Sequence, residues 1–399
     1  MAAAAPDALR PPPGNPRFPL LDSMRAIAAL TILATHASGV SNFNLANALG
    51  AYTARLDFGV TMFFLLSGFL LYRPFVAARR EGRPPIGIRA FFRRRVLRIL
   101  PAYWVALAVL AVYPGLLGFG PHWWRFFSLT QIYWQQSTVQ GIGPAWSLCI
   151  EATFYLALPF LAAVIGRLRP SVRGELGLIA IPALGAWALR TVLQANGGYS
   201  VMQNTILCFF DWFAYGMILA VLSVAWHGRE ADSRALRVIV RRPWVPWLAA
   251  AVVYWFMSTQ MSLSRGFFIV YTNWNYFGEH ACYALCAFLL LLPAVFGDWA
   301  GGWPRRLLAL RPLPWLGLVS YGIFLWHAPL MLKLNGHGAQ GWIPGSGFLS
   351  LLLVTAAVTI PIAAASYYFV ERPALRFKDR RRGRPDSGLA PTAAAGPAG

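Results

Sequence analysis

Ten blocks of about twenty apolar residues, each long enough to cross a bilayer as a helix, recur along this chain. They run approximately over 19–38, 58–75, 99–118, 146–166, 176–195, 204–226, 244–260, 279–297, 315–334 and 348–370. The pattern predicts an all-α integral membrane protein, a bundle of about ten transmembrane helices. The seventh block is short, and Pro159 and Pro182 predict kinks in two others. No connection between blocks is long enough for a soluble domain. Residues 1–17, rich in Ala and Pro, predict a disordered N-terminal segment without the apolar core of a signal peptide. Residues 379–399 predict a disordered, basic, low-complexity tail. A single transmembrane domain over 18–378 remains.

Composition agrees with the pattern. The 399 residues are 57% hydrophobic and only 12% charged, with a mean hydropathy of +0.51, whereas soluble domains carry about 25% charged residues. The net charge of +21 falls in short runs between apolar blocks rather than on one basic face, which argues against a nucleic-acid partner. With the first block running outward, 29 of the 35 Lys and Arg residues lie in inner connections and four, Arg55, Arg125, Arg265 and Lys333, in outer ones. Positive charge collects on the cytoplasmic side of membrane proteins, so ten spans with both termini cytoplasmic are expected. Cys149, Cys208, Cys282 and Cys286 have neither zinc nor thioredoxin spacing and are read as small buried apolar residues.

Ionisable side chains inside spans are costly and mark candidate function. The first block carries Arg25 and His36, eleven residues apart. At about 100° per residue they share one helix face, separated by roughly 16 Å along the axis. The predicted topology places His36, Glu151, Asp211, Glu279, His280 and His327 toward the outer side. Arg89, Arg93, Arg94, Arg95 and Arg98 lie at the inner face. A guanidinium cluster binds phosphates through forked hydrogen bonds, and a histidine steadied by a carboxylate acts as a general base. Together they fit an acyl-CoA thioester donor at the inner mouth and a hydroxyl acceptor deeper in. Asp211 needs a buried partner, for which Arg190 is a candidate, and Glu371 fits a structural pair at the inner end of the last span. The 17 Trp and 15 Tyr residues fit interfacial belts.

Six stretches stand out in order: LDSMRAIAALTILATH, with Arg25 and His36, then DFGVTMFFLLSGFLLYRPF (57–75), FFRRRVLRILPAYW (91–104), PAWSLCIEATFYLALP (144–159), LGLVSYGIFLWHAPLM (316–331) and SYYFVERPALRF (366–377). Together they resemble the acyltransferase 3 family of membrane-embedded O-acyltransferases. Ser23 stands where such proteins commonly have Gly. The resemblance implies transfer of an acetyl or short branched acyl group from acyl-CoA to a hydroxyl of a carbohydrate or glycosylated acceptor, either a surface glycan or a secondary metabolite such as a macrolide sugar. It implies a multi-pass protein of the cell (inner, cytoplasmic) membrane, with no metal and no nucleic acid. His36 would be the catalytic base and Arg25 its required partner, while Glu151 would orient His36 or shape the acceptor pocket. Arg95 and Arg98, with Arg94 beside them, match the family's basic motif and would hold the CoA phosphates. Trp146, Tyr321 and His327 are candidates for steadying the oxyanion, and Asp57 joins them as a substrate-binding candidate. A covalent acyl-histidine is the alternative to direct transfer. No esterase-like domain, which some relatives carry, follows the last span, so transfer is expected of the membrane helices alone. The alternative class is a transporter of a lipid-linked sugar or small solute; its signature of inverted repeats is not evident in the two halves.

Overall fold

A computed structural model describes residues 18–196, 201–266, 273–297 and 301–377. The expectations for residues 1–17 and 379–399 lie outside them. Among the described residues all regular structure is helical. Ten helices form the frame: α1 Pro19–Val40, α2 Gly59–Arg80, α3 Ile88–Val112, α4 Ala145–Leu168, α5 Val172–Ala195, α6 Ile206–Ala225, α7 Trp244–Thr259, α8 Asn273–Val295, α9 Pro312–Gly336 and α10 Gly347–Ser366. Nine of the described helices are long and apolar enough to cross a membrane. Leu156, Phe160 and Val164, spaced to share one face of α4, are 60%, 60% and 53% exposed. Such an apolar stripe is favourable against lipid and not against water, so the chain is a multi-pass membrane protein.

The shortest frame helix is α7, at 16 residues about 24 Å long and below the roughly 30 Å hydrocarbon core. It nevertheless runs antiparallel to α8 over most of its length. Trp247 donates to the Leu290 carbonyl at 3.1 Å, and the Cys286 thiol reaches the Ala250 carbonyl at 3.7 Å. The third block also differs from expectation. The helix begins at Ile88 rather than near 99, because arginine is a good helix former and the basic run simply continues it. It ends at Val112, where Pro114 disfavours helical geometry in the residue before it. Pro159 and Pro182 lie inside α4 and α5, which continue through both.

At the centre is α1, packed along α9 and against α2, α10 and α8. Its small buried residues Ser23, Ala26, Ala28, Ala29 and Ala37 let these neighbours approach closely, the usual device where lipid supplies no hydrophobic force between helices. The α2–α6 contact is about as close. A Cβ on Gly68 would lie 2.1 Å from the Phe213 carbonyl oxygen, and one on Gly216 2.0 Å from that of Leu65. Two ionic devices hold the periphery. Glu175 of α5 is 1% exposed and accepts from Arg79, from Arg80 at 2.9 Å and from the Tyr72 hydroxyl at 2.7 Å, which ties α5 to α2. Arg305, in the short helix Trp303–Leu308, is buried and donates to five backbone carbonyls: Pro293, Phe296, Gly301, Ile239 and Val240, at 2.7–3.1 Å. It thereby caps α8 and the helix Arg234–Arg241 together.

Candidate active site

Four helices, α1, α2, α4 and α9, surround two cavities that follow one another along their length. The larger, about 780 Å3, is lined by His36 of α1, Asp57 just before α2, Trp146 of α4, Trp212 of α6, Tyr283 of α8 and one face of α9. The smaller, about 100 Å3, is lined by Arg25, Ser67, Arg95, Arg98, Glu151, Tyr155 and Tyr321. Arg25 and His36 share a face of α1, as their spacing requires, yet serve different cavities.

The chemistry of the larger cavity centres on a histidine pair. His36 Nδ1 lies 2.8 Å from His327 Nε2, and His327 Nδ1 lies 2.9 Å from the carbonyl oxygen of Ile323, one turn earlier on α9. A carbonyl only accepts, so His327 carries its proton on Nδ1, and in the neutral ring its Nε2 accepts. His36 therefore donates from Nδ1, which makes Nε2 its basic nitrogen. His327 is 0% exposed, so it positions His36 from behind. The expectation for Glu151 was that it orients His36 or shapes the acceptor pocket. Glu151 instead accepts the Ser67 hydroxyl in the smaller cavity, among arginines.

Beside the pair, Tyr283 donates its hydroxyl to Asp57 and lies 3.1 Å from Glu279. Glu279 pairs with Arg55, which also holds the Ser264 carbonyl. Arg55 and Tyr283 escaped the sequence reading. Arg55 looked like one more loop charge, and nothing local marks Tyr283. Trp212, likewise missed, lies flat against His280, with ring centroids 4.3 Å apart and planes at 16°. His280 Nε2 lies 2.7 Å from Asp211 Oδ2. The buried partner of Asp211 is thus His280. Arg190 turns to the Cys208 carbonyl and, at 2.8 Å, to the Tyr276 hydroxyl.

In the smaller cavity, Arg95 and Arg98 lie three residues apart on one face of α3, and Arg25 approaches from α1, 3.2 Å from Asp22. Arg98 is steadied by Glu371 at 3.3 Å. Glu371 is 0% exposed and closes the wide turn Tyr367–Glu371 after α10. Arg94 is exposed and lines neither cavity, since one residue of helix turns it about 100° from Arg95. Tyr321 also departs from expectation. It lines the smaller cavity, and its hydroxyl donates to the Ile99 carbonyl at 3.0 Å, so it does not stand with His36. Trp146 and Asp57 do line the larger cavity.

A family model described as an acyltransferase domain matches residues 18–368, a range that contains both cavities. The chain belongs to the acyltransferase 3 family. It is 23% identical over 386 residues to a protein named "O-acetyltransferase OatA" of Staphylococcus aureus (strain NCTC 8325 / PS 47), covering 90% of this chain and 57% of that protein. It is 26% identical over 377 residues to "Putative peptidoglycan O-acetyltransferase YrhL" of Bacillus subtilis (strain 168), covering 89% and 54% respectively. The acyltransferase 3 chain described here thus spans somewhat over half the length of these curated relatives. No solved structure matches it.

Proposed function

We propose that this chain is a membrane O-acyltransferase that moves an acetyl or short acyl group from acyl-CoA to a hydroxyl of a carbohydrate or glycosylated acceptor. The observation that carries this reading is the tautomer of His36. Its Nδ1–H is committed to His327, which leaves a basic Nε2 on a residue lining a cavity of about 780 Å3. Nε2 takes the acceptor's hydroxyl proton as the oxygen attacks the thioester carbonyl. The C–S bond then breaks, and the imidazolium returns the proton to the departing thiolate. Trp146 and Trp212 offer indole surfaces beside polar Asp57 and Tyr283, a lining suited to a sugar ring. Arg25, Arg95 and Arg98 form the cationic counterpart for the donor's phosphates, with Glu371 fixing Arg98 and Glu151 neutralising part of their charge. The names of the two relatives support acetyl as the group and a glycan as the acceptor.

In this proposal the arginine end faces the cytoplasm, in line with the 29-to-4 division of Lys and Arg. Ten crossings, α7 included, put the segments before α1 and after α10 on that same side of the cytoplasmic membrane. The test uses the full chain in nanodiscs with labelled acetyl-CoA and a cell-envelope or metabolite extract. Label should pass to an alkali-labile ester on a glycosylated product, with CoA released only when extract is present. With the chain in closed proteoliposomes, uptake of an unmodified sugar or solute without CoA release would instead favour a transporter.

His327→Ala removes the acceptor for His36 Nδ1–H and is expected to slow transfer about 10- to 100-fold, the scale of a lost positioning partner. His327→Gln, whose amide oxygen can accept the same proton, should recover part of the loss. Equal rates for the wild type and His327→Ala would remove His327 from this role.

A further inference from the structure

The linings of the two cavities meet on three helices. On α4 the lining passes from Trp146 on the larger cavity to the next residue, Ser147, on the smaller. On α2 it passes from Val60 to Phe63, one turn on. On α9 one residue, Phe324, lines both. Phe324 lies one turn before His327, and its ring centroid is 6.3 Å from that of Phe63, with the planes at 69°. Edge-to-face contact of this kind is a favoured aromatic arrangement. It places two rings where the small cavity would otherwise open into the large one.

We propose that Phe324, backed by Phe63, is a partition across one continuous passage and determines the length of acyl group that the protein transfers. The proposal rests on the function proposed above, with the donor held at Arg25, Arg95 and Arg98. A thioester anchored there by its phosphates points its sulfur, then its carbonyl, then its acyl chain away from the arginines. The chain therefore leads. To bring the carbonyl within reach of an oxygen deprotonated by His36, the acyl group must pass Phe324 and enter the acceptor's cavity. An acetyl group places only a methyl beyond the carbonyl. A longer chain must displace the rings along its whole length and then occupies space the acceptor needs. Removing the Phe324 ring widens this point; that ring also lies 6.4 Å from that of His327, so the readout is the ratio between acyl chain lengths rather than the overall rate.

The experiment compares wild type, Phe324→Ala, Phe324→Leu and Phe63→Leu as full chains in nanodiscs, supplied with acetyl-, butyryl- and octanoyl-CoA in competition. Acylated product is identified by mass. Phe348→Ala serves as a control, because Phe348 stacks on Phe43 at 4.6 Å and lines neither cavity. Phe324→Ala is expected to shift the octanoyl-to-acetyl ratio of kcat/KM upward at least tenfold, on the scale by which apolar pockets discriminate methylenes. Phe324→Leu and Phe63→Leu should shift it less and in the same direction, and Phe348→Ala not at all. If wild type transfers acetyl but the ratio stays fixed in every passage variant, the partition is overturned and the acyltransferase function stands. If the ratio moves equally in Phe348→Ala, general loosening accounts for it and the partition is again overturned. If no form transfers any acyl group, the proposed function fails and takes the partition with it.

Discussion

Replacing His36 by Ala is expected to lower acyl transfer by about 10²- to 10⁴-fold, the range a positioned general base contributes. An alcohol attacks a thioester poorly until its proton has somewhere to go, and His36 is the titratable side chain of the larger cavity with a fixed tautomer. Its neighbours do not replace it. His327 carries its proton toward Ile323 and points its other nitrogen at His36. Asp57 accepts from Tyr283, and Glu151 lies in the other cavity. Initial rates of labelled product at saturating acetyl-CoA check this, with the yield of folded protein monitored in parallel. His36→Gln should be as slow as His36→Ala, since an amide can hold the contact to His327 but takes no proton. Activity within about threefold of wild type in either variant would remove the base from this position, since general-base catalysis is worth far more than that.

The second large effect is expected on folding. Arg305→Ala removes the donor for five buried or part-buried backbone carbonyls, four of which end α8 and the helix Arg234–Arg241. An unsatisfied buried acceptor costs about 1–3 kcal/mol, so even two that find no water destabilise the protein by ~2–6 kcal/mol. Arg305→Lys should fall between wild type and Ala, because an ammonium offers three donors where the guanidinium offers five in a fixed fork. Thermal unfolding in detergent, followed by tryptophan fluorescence, separates the three. A midpoint for Arg305→Ala within about 2 °C of wild type would show that these carbonyls are satisfied otherwise, because a loss of several kcal/mol moves it further even in a large domain.

Helix existence was legible because a span must be apolar for about twenty residues, and such runs stand out. Helix boundaries were less so. The block placed at 99–118 is a helix over Ile88–Val112, since hydropathy stops at Arg98 while the backbone does not. Within α1, the shared face of Arg25 and His36 followed from helical geometry alone. Which neighbours those residues meet did not, because sequence does not order helices side by side. The partner of His36 lies 291 residues away, and Glu151 seemed fit for the role only because carboxylates commonly hold histidines. Asp211 went to His280 rather than Arg190 for the same reason: both lie on helices next to α6, and only the packing chooses between them. Arg305 read as one inner-loop charge among many. Four of its five carbonyl partners come from two other helix ends, and that arrangement leaves no local signal.

The most direct test of a molecule divided into a donor cavity and a reaction cavity is CoA binding to three forms in nanodiscs: wild type, His36→Ala and Arg95→Ala. Isothermal titration with CoA should give His36→Ala the affinity of wild type, since His36 lines only the larger cavity. Arg95→Ala should bind at least about tenfold more weakly, as expected for a charged hydrogen bond lost from a partly buried site. Wild-type affinity in Arg95→Ala, or binding lost in His36→Ala, would contradict the division.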